Sequence, residues 1–185
     1  MDTYFTEETY KNSSSIEKGT YEDCTFIDCK LASHDLRDYV FINCEFKGCD
    51  LSNTNILRAA FREVDFYDCK LIGLKFDECN DFLFEVNFNN CQLDFASFYQ
   101  RKMSKTNFIN CQLKEVDFSE ANLTESNFDE SDLSGAIFEA TNLQKADFST
   151  ALNYQIDPES NQMKAAKFSS QGLSGLLAKY QLKIV

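Results

Sequence analysis

The sequence contains few of the residues on which loop-rich folds and most catalytic sites depend. Among its 185 residues there are no Trp, one Pro, six Gly and one His. Because irregular loops normally use more Gly and Pro, we expect one regular domain with uniform turns. A single His excludes most His-based catalysis and metal sites with several His ligands. We therefore predict a protein that is not an enzyme and that uses neither a metal nor a cofactor.

Positive charge is also scarce. The chain has 18 Lys and Arg against 30 Asp and Glu, which gives a formal net charge of −12. Nucleic-acid-binding proteins need a basic surface, and an anionic membrane would repel this chain. No apolar run approaches the length of a transmembrane helix, and residues 1–8 lack the features of a secretory signal. We predict a cytoplasmic protein that binds neither nucleic acid nor membrane directly.

The eight cysteines lack the spacing of a zinc or redox motif. No pair is arranged as C-x-x-C, and most gaps between them are multiples of five. Thiols stay reduced in the cytosol, and a buried Cys behaves as a small hydrophobic residue. We predict that all eight are free and that most are buried. They are Cys24, Cys29, Cys44, Cys49, Cys69, Cys79, Cys91 and Cys111.

A period of five residues runs through most of the chain. Apolar residues recur at every fifth position from Phe26 to Phe76 and again from Phe88 to Phe148, in registers that differ by two residues. All 24 of these central positions are apolar, and 13 are Phe. The position two residues earlier is usually small and holds all eight Cys. Because a period of five fits neither a helix nor a strand, it predicts the unit of a solenoid.

The repeat resembles that of the pentapeptide repeat family. Ala121–Glu125 and Ala146–Thr150 follow the family pattern of a small residue, Asn or Asp, Leu or Phe, and two polar residues. The resemblance covers about residues 21–168. It implies an all-β fold, a right-handed quadrilateral β-helix with four pentapeptides in each coil. In agreement, taking every fourth central residue gives one set of seven Phe and a next set of six Leu, once an insertion of two residues near 80–85 is subtracted.

Three residues at the small position are too large or too polar for it. They are His34, Tyr39 and Arg101. The sequence leaves open whether each marks a local bulge of the coil. For His34, a bulge or a side chain turned to the surface is favoured over a metal ligand, because the chain has no second His.

The flanking segments depart from the repeat. Residues 1–20 are expected to form an N-terminal cap, and residues 151–165 a modified coil, because Pro158 cannot donate to a β-ladder. Residues 169–185 are expected to form an α-helix, N-capped by Ser169 or Ser170, and a short strand-like tail. The apolar face of this helix is expected to cap the last coil and to hold a homodimer. It consists of Leu173, Leu176, Leu177 and Tyr180.

One stretch of the chain is acidic without interruption. Residues 115–144 contain eight Asp or Glu and no Lys or Arg, and all eight acids fall at outward positions of the repeat. Since four of the Glu are five residues apart, we expect them at successive corners of one coil. We call the eight residues the acidic belt. They are Glu115, Asp117, Glu120, Glu125, Asp129, Glu130, Asp132 and Glu139.

Within the family, the chain resembles the Qnr-type and MfpA-type proteins. The likeness lies in the start of the repeat, Gly19–Phe26, and in the ending from Ile156 to Val185. It implies a dimeric rod that binds DNA gyrase or topoisomerase IV as a mimic of duplex DNA and that gives quinolone resistance. Seven coils would make a rod of about 35 Å, and a dimer of about 70 Å would match about 20 base pairs.

One departure from those proteins weakens the expectation of resistance. Several Qnr-type members carry two long loops, whereas this chain has only the insertion near residues 80–85. The alternative function is an acidic interaction scaffold for an unknown protein partner. A supercoiling assay with gyrase, with and without a quinolone, distinguishes the two.

Overall fold

Short parallel strands stacked one turn apart build an all-β solenoid of about eight turns. The computed structural model describes residues 3–183. Strands β1, β3, β5 and β7 form one sheet, β2, β4, β6, β8, β9 and β10 a second, and β11 and β12 a third. The strands are β1 Thr3–Thr6, β2 Thr9–Lys11, β3 Gly19–Glu22, β4 Thr25–Ile27, β5 Val40–Ile42, β6 Glu45–Lys47, β7 Ala60–Arg62, β8 Val64–Tyr67, β9 Val86–Asn89, β10 Phe108–Ile109, β11 Asp147–Phe148 and β12 Lys167–Phe168.

The register between turns confirms the period read from the sequence. Most paired residues are 20 apart, as in Phe26 with Phe46 and Asn122 with Asn142. Between β8 and β9 the separation becomes 22, with Phe66 opposite Phe88. The two extra residues are therefore accommodated within one turn, and the stacks resume beyond it. Each turn has four sides, which we number by their central residues: side 1 contains Phe108, side 2 Leu113, side 3 Phe118 and side 4 Leu123.

Two columns of Phe rings fill the interior. On side 1 the rings stack from turn to turn, as in Phe108 on Phe128 with centroids 5.0 Å apart. From Phe76 onward side 3 has the same arrangement, with Phe98 and Phe118 at 5.4 Å. In the preceding turns the second column lies on side 4, as in Phe41 on Phe61 at 5.4 Å. The two columns meet edge to face, since Phe108 and Phe118 lie 5.5 Å apart at 82°. Stacked and edge-to-face geometries are both favourable for aromatic rings, so the column supports itself along the whole rod.

The small position lies inside the corner of the turn, where its side chain donates to a backbone carbonyl. Cys69 Sγ donates to Phe46 O at 3.3 Å, and Ser131 Oγ donates to Phe108 O at 2.9 Å. All eight Cys are buried and free. Burial raises the pKa of Cys44 to about 12, so this thiol stays protonated and unreactive at neutral pH. Cys and Ser therefore have the same structural role here.

At each corner, the chain turns through the left-handed backbone region with few glycines. Twenty-six non-glycine residues have positive φ, among them Glu115, Glu120, Glu125 and Glu130 of the acidic belt. The residue at the third position of a type II turn requires a positive φ. Lys105 and Lys145 occupy the equivalent corner position in neighbouring turns. The position therefore accepts long charged side chains of either sign.

Arg101 marks the insertion rather than a bulge of its own turn. Its side chain is 3% exposed and reaches back to the preceding turn, where it donates to Asp77 O at 2.8 Å and to Cys79 O. Its own carbonyl still accepts the regular hydrogen bond from Asn122 N at 2.8 Å. Arg101 thus supplies N–H donors to carbonyls at the place where the two extra residues interrupt the backbone ladder.

His34 and Tyr39 do not interrupt the register either. The His34 carbonyl accepts from Asn55 N, and the Tyr39 carbonyl accepts from Ala60 N, both at 2.8 Å. Tyr39 is buried, and its hydroxyl donates to Ile16 O at 3.1 Å, which ties the N-terminal segment to the first complete turn. His34 is half-buried. The oversized side chains are therefore accommodated without bulges.

The N-terminal segment belongs to the solenoid itself. Strands β1 and β2 pair in parallel with β3 and β4, and Tyr10 stacks on Phe26 with centroids 5.0 Å apart. Residues 3–11 thus extend two sides of the rod. Met1 and Asp2 lie outside the described residues.

The predicted C-terminal α-helix is wrong. Residues 169–180 instead form two 3₁₀ turns, Leu173–Leu176 and Ala178–Tyr180, and no α-helix occurs in residues 3–183. Ser169 Oγ does accept the Gly172 N–H at 3.1 Å, as an N-cap would. Two glycines weaken a helix here, and both pack against Tyr154, so closely that a Cβ on Gly175 would lie 2.2 Å from Tyr154 O. Residues 169–180 therefore dock onto the last coil instead of forming a helix, because this contact with Tyr154 requires glycine at positions 172 and 175.

Candidate protein-binding surface

The belt residues encircle one turn, as the spacing predicted. Glu115, Glu120, Glu125 and Glu130 follow the central residues of sides 2, 3, 4 and 1, and all four are exposed. Their left-handed backbone directs each of them outward from a corner. The carboxylates therefore face in four directions around the rod, and a partner on one side meets only part of the belt.

The remaining acids divide the belt into two groups. Asp117 and Glu139 lie on side 3, where the Glu120 N–H donates to Glu139 O at 2.8 Å across adjacent turns. Asp129 and Asp132 lie beside Glu130, around the edge between sides 1 and 2. Each group holds at least three carboxylates within two turns, which is a stronger local field than a single corner provides.

Several belt carboxylates are already engaged by the chain. Asp132 accepts from Ser134 Oγ at 2.7 Å and from Asn153 Nδ2 at 2.9 Å. Glu120 accepts from Tyr99 and Gln100, and Asp129 accepts from Thr150. These neutral donors orient the carboxylates and leave their charge in place.

Ion pairing in the belt is confined to Glu125 within the described residues. Lys145 Nζ lies 2.7 Å from Glu125 Oε1 and holds the pKa of that carboxyl below its usual value. By contrast, Asp38 near the N-terminal end pairs with both Arg58 and Lys18. Hydrogen bonds from these two residues lower the pKa of Asp38 to about 2. Seven of the eight belt carboxylates therefore have no ion-pair partner among the described residues, whereas Asp38 has two.

Acidity as such is not confined to the belt. Residues 1–98 contain 19 Asp or Glu and 9 Lys or Arg, whereas residues 99–185 contain 11 and 9. The N-terminal half is therefore the more acidic half. What distinguishes the belt is its lack of interspersed bases, and any test of it must use the N-terminal acids as the control.

The predicted dimerisation residues do not share one face. Leu173, Leu177 and Tyr180 are exposed, while Leu176 packs against the core of the last turn. Exposed Leu152 lines an open groove of about 1100 Å³ between side 2 and residues 169–178. Only three of the four predicted residues are thus available for contact with another chain.

The tip of the inserted turn is an exposed apolar feature that the sequence reasoning missed. Phe82 and Leu83 protrude from side 4, and Arg62 lies over the Phe82 ring at 5.2 Å. The available signal was Phe82–Phe84, three adjacent apolar residues at the break between the two repeat registers, which cannot all point inward.

Residues 3–183 show no helix that is long and apolar enough to cross a membrane. Over the same range, no group of three or more His, Cys, Asp or Glu is arranged to hold a metal ion.

Comparison with known proteins defines the class of this solenoid. The model of the pentapeptide repeat region matches residues 20–98, 75–148 and 101–176. Since these matches together span most of the chain, the protein belongs to the pentapeptide repeat family. No curated protein sequence matches it.

Solved structures of the same fold include QnrB1 and HetL. A trypsin-treated variant of QnrB1, a plasmid-mediated fluoroquinolone resistance protein, is 17% identical, with a TM-score of 0.66 over 100% of this chain and 98% of that one. Full-length QnrB1 is 16% identical, with a TM-score of 0.60 over 97% and 100%. HetL from Nostoc sp. strain PCC 7120, involved in heterocyst differentiation regulation, is 16% identical, with a TM-score of 0.57 over 91% and 87%. At these identities the likeness shows the fold alone.

Proposed function

We propose that this protein is a non-enzymatic, cytoplasmic rod that mimics duplex DNA and binds the DNA-binding groove of a type II topoisomerase, DNA gyrase or topoisomerase IV. The observation that carries the proposal is the acidic belt, whose corner carboxylates surround one turn of the rod in a stretch, residues 115–144, that contains no Lys or Arg. A groove that accepts DNA is lined by Lys and Arg, and a rod with outward carboxylates offers it similar charge. Quinolone resistance would follow where such binding keeps the drug from the enzyme.

The test reverses the belt without altering the backbone. In the belt variant, Lys replaces the four corner glutamates Glu115, Glu120, Glu125 and Glu130. Lys is compatible with this corner position, because Lys105 and Lys145 occupy it in the neighbouring turns. The matched control replaces Asp23, Asp28, Glu63 and Asp68, which have the same positive φ and lie in the N-terminal half. Both variants change the charge equally, and circular dichroism checks both folds.

We expect the wild-type chain to inhibit DNA supercoiling by gyrase. The belt variant should be at least about 10-fold less potent as an inhibitor, and the control variant should lose less of its potency. A quinolone added in parallel tests protection. Equal losses in both variants would show that net charge matters and the position of the belt does not. No inhibition by a large excess of wild-type protein would contradict the proposal and leave the alternative, an acidic scaffold for another protein partner.

We also propose a homodimer through the C-terminal segment, because Leu173, Leu177 and Tyr180 expose apolar surface beside Leu152. A two-fold contact there would join two rods end to end and bring their belts toward the centre. Light scattering should report a dimer at micromolar concentration for the wild type and a monomer for Leu173→Glu with Leu177→Glu. The matched control, Phe95→Glu with Ile137→Glu, introduces the same charge elsewhere and should leave the dimer intact. A monomeric wild type would refute the dimer.

A further inference from the structure

Side 4 of the rod carries opposite charges in its two halves. The N-terminal half consists of residues 19–23, 39–43, 59–63 and 80–85, and the C-terminal half of residues 101–105, 121–125, 141–145 and 161–165. Asp81 and Arg101 pair with each other across the boundary. Apart from this pair, the first half contains four acids and one base, and the second half four bases and one acid. The four acids are Glu22, Asp23, Glu63 and Glu85, and the four bases are Lys102, Lys105, Lys145 and Lys164.

These eight charged side chains are accessible to another molecule. Seven of them are exposed, and Glu22 is half-buried. Of the eight, only Lys145 has an ion-pair partner among residues 3–183, and that partner is Glu125. The division of charge is particular to side 4. On sides 1 and 3 acids outnumber bases in both halves, and side 2 mixes both signs in each half.

A second copy of the chain offers the complementary face. When two rods lie antiparallel with side 4 against side 4, a two-fold axis places the acidic half of each copy on the basic half of the other. This rotation keeps the lateral position of every residue, so the corner acids Asp23 and Glu63 face the column of corner bases that contains Lys105 and Lys145. In a parallel arrangement like charges would face each other, which is unfavourable. Side 4 is thus complementary to itself in the antiparallel orientation.

The middle of side 4 is apolar. Phe82 and Leu83, which are 64% and 65% exposed, lie at the boundary between the two halves. The two-fold axis of an antiparallel pair passes through this middle, so the apolar residues of one copy would lie against those of the other. An apolar centre with a polar, charged rim is the usual anatomy of a protein–protein interface.

We propose that side 4 is a self-association surface, on which two copies of this chain pair antiparallel through their oppositely charged halves and their apolar centres. The pairing does not depend on the proposed function, because it leaves the carboxylates of sides 1–3 exposed, and it uses no residue of the C-terminal segment. Exposed charge pairs are individually weak, so we expect a Kd of about 0.1–1 mM at low salt, well above the micromolar range in which the C-terminal contact is measured.

Sedimentation equilibrium of the full-length chain tests the inference. At about 0.5 mM protein and about 0.02 M salt, the average mass of the wild type should be at least about 1.3-fold higher than at micromolar concentration, and the increase should disappear at about 0.3 M salt. The base variant replaces the four Lys by Glu, and the acid variant replaces the four acids by Lys. Neither should associate, because like charges then face each other. The swapped variant carries both sets of changes, has the net charge of the wild type, and should associate again.

A second set of four lysines provides the control for net charge. Replacing them by Glu gives the net charge of the base variant, but these exposed residues lie on sides 2 and 3, so association should persist. They are Lys30, Lys70, Lys75 and Lys114. The inference fails if the wild type does not associate, if this control loses as much association as the base variant, or if the swapped variant does not recover. Gyrase inhibition by the wild type decides the proposed function separately.

A single exposed substitution gives an independent measurement should a multiple variant not fold, which thermal melting establishes. With a short bismaleimide reagent, Phe82→Cys should be crosslinked to a dimer at low salt and much less at high salt. Phe95→Cys, on side 2, should show little crosslinking under either condition. The eight native Cys are buried and should not react. Equal crosslinking of the two variants would overturn the antiparallel pairing through side 4.

Discussion

Two turns of the rod, separated by one other turn, keep the same stacked core with different numbers of residues. The belt turn runs from Leu113 to Leu133 in 20 residues, while the insertion turn separates stacked Phe76 and Phe98 by 22. In the belt turn, backbone N–H groups reach the carbonyls of the next turn at three corners, and at the fourth the Glu130 N–H donates to Thr150 Oγ1. In the insertion turn, the Arg101 side chain supplies donors to Asp77 O and Cys79 O. The comparison shows that ring stacking sets the geometry of the coil, and that a side chain can replace missing ladder bonds.

The largest effect should come from the shared core. Phe118→Ala removes a ring that stacks on Phe98 and Phe138 and meets Phe108 edge to face. Because a rigid column cannot close around the cavity, we expect a loss of about 3–5 kcal/mol in the free energy of unfolding. Urea denaturation measures it. Phe76→Ala in the insertion turn should cost about the same, and a much smaller cost there would mean that the insertion loosens the core.

A smaller effect should come from the residue that distinguishes the insertion turn. Arg101→Leu keeps the bulk of the buried side chain but leaves the Asp77 and Cys79 carbonyls without these donors, at a cost of about 2–4 kcal/mol. Hydrogen exchange should rise in residues 76–85 and stay unchanged in residues 113–133. Thr141→Val is the matched control in a regular turn, where one hydroxyl bond to Phe118 O is lost. If Arg101→Leu costs no more than this control, the donor role of Arg101 is refuted.

The smallest effect should come from the ion pair of the belt turn. Lys145 lowers the pKa of Glu125, so the pair stabilises the fold above the ordinary Glu pKa, and this contribution is lost as pH falls through the lowered value. Both groups are exposed, so Lys145→Gln should leave the melting temperature unchanged at neutral pH. In an NMR titration it should raise the pKa of Glu125 back toward the ordinary value of a Glu carboxyl, whereas Lys164→Gln should not. A drop in melting temperature would mean that exposed charge pairs stabilise this rod.

Most of the repeat region could be predicted from the sequence because each turn repeats the same local constraint. In each five-residue repeat the central Phe or Leu must point into the solenoid. The small residue two positions earlier, such as Cys or Ser, then fits only inside the corner of the turn. The C-terminal segment could not be predicted in this way. Its spacing of Leu173, Leu176 and Leu177 suits a helix, but Gly172 and Gly175 are selected by contact with Tyr154, which lies 18 and 21 residues earlier.

The sequence by itself determined the solenoid, the offset of two residues, the burial of the cysteines and the outward position of every belt residue, because all of these follow from a local repeat. Only the tertiary structure decided which carboxylates lie together, what Arg101 binds and which apolar side chains remain exposed. Those properties depend on contacts between turns, about 20 residues apart in the chain, at positions where the pattern is broken. A periodic sequence specifies its regular contacts many times over, whereas each irregular contact occurs once and depends on the shape of the turn beneath it.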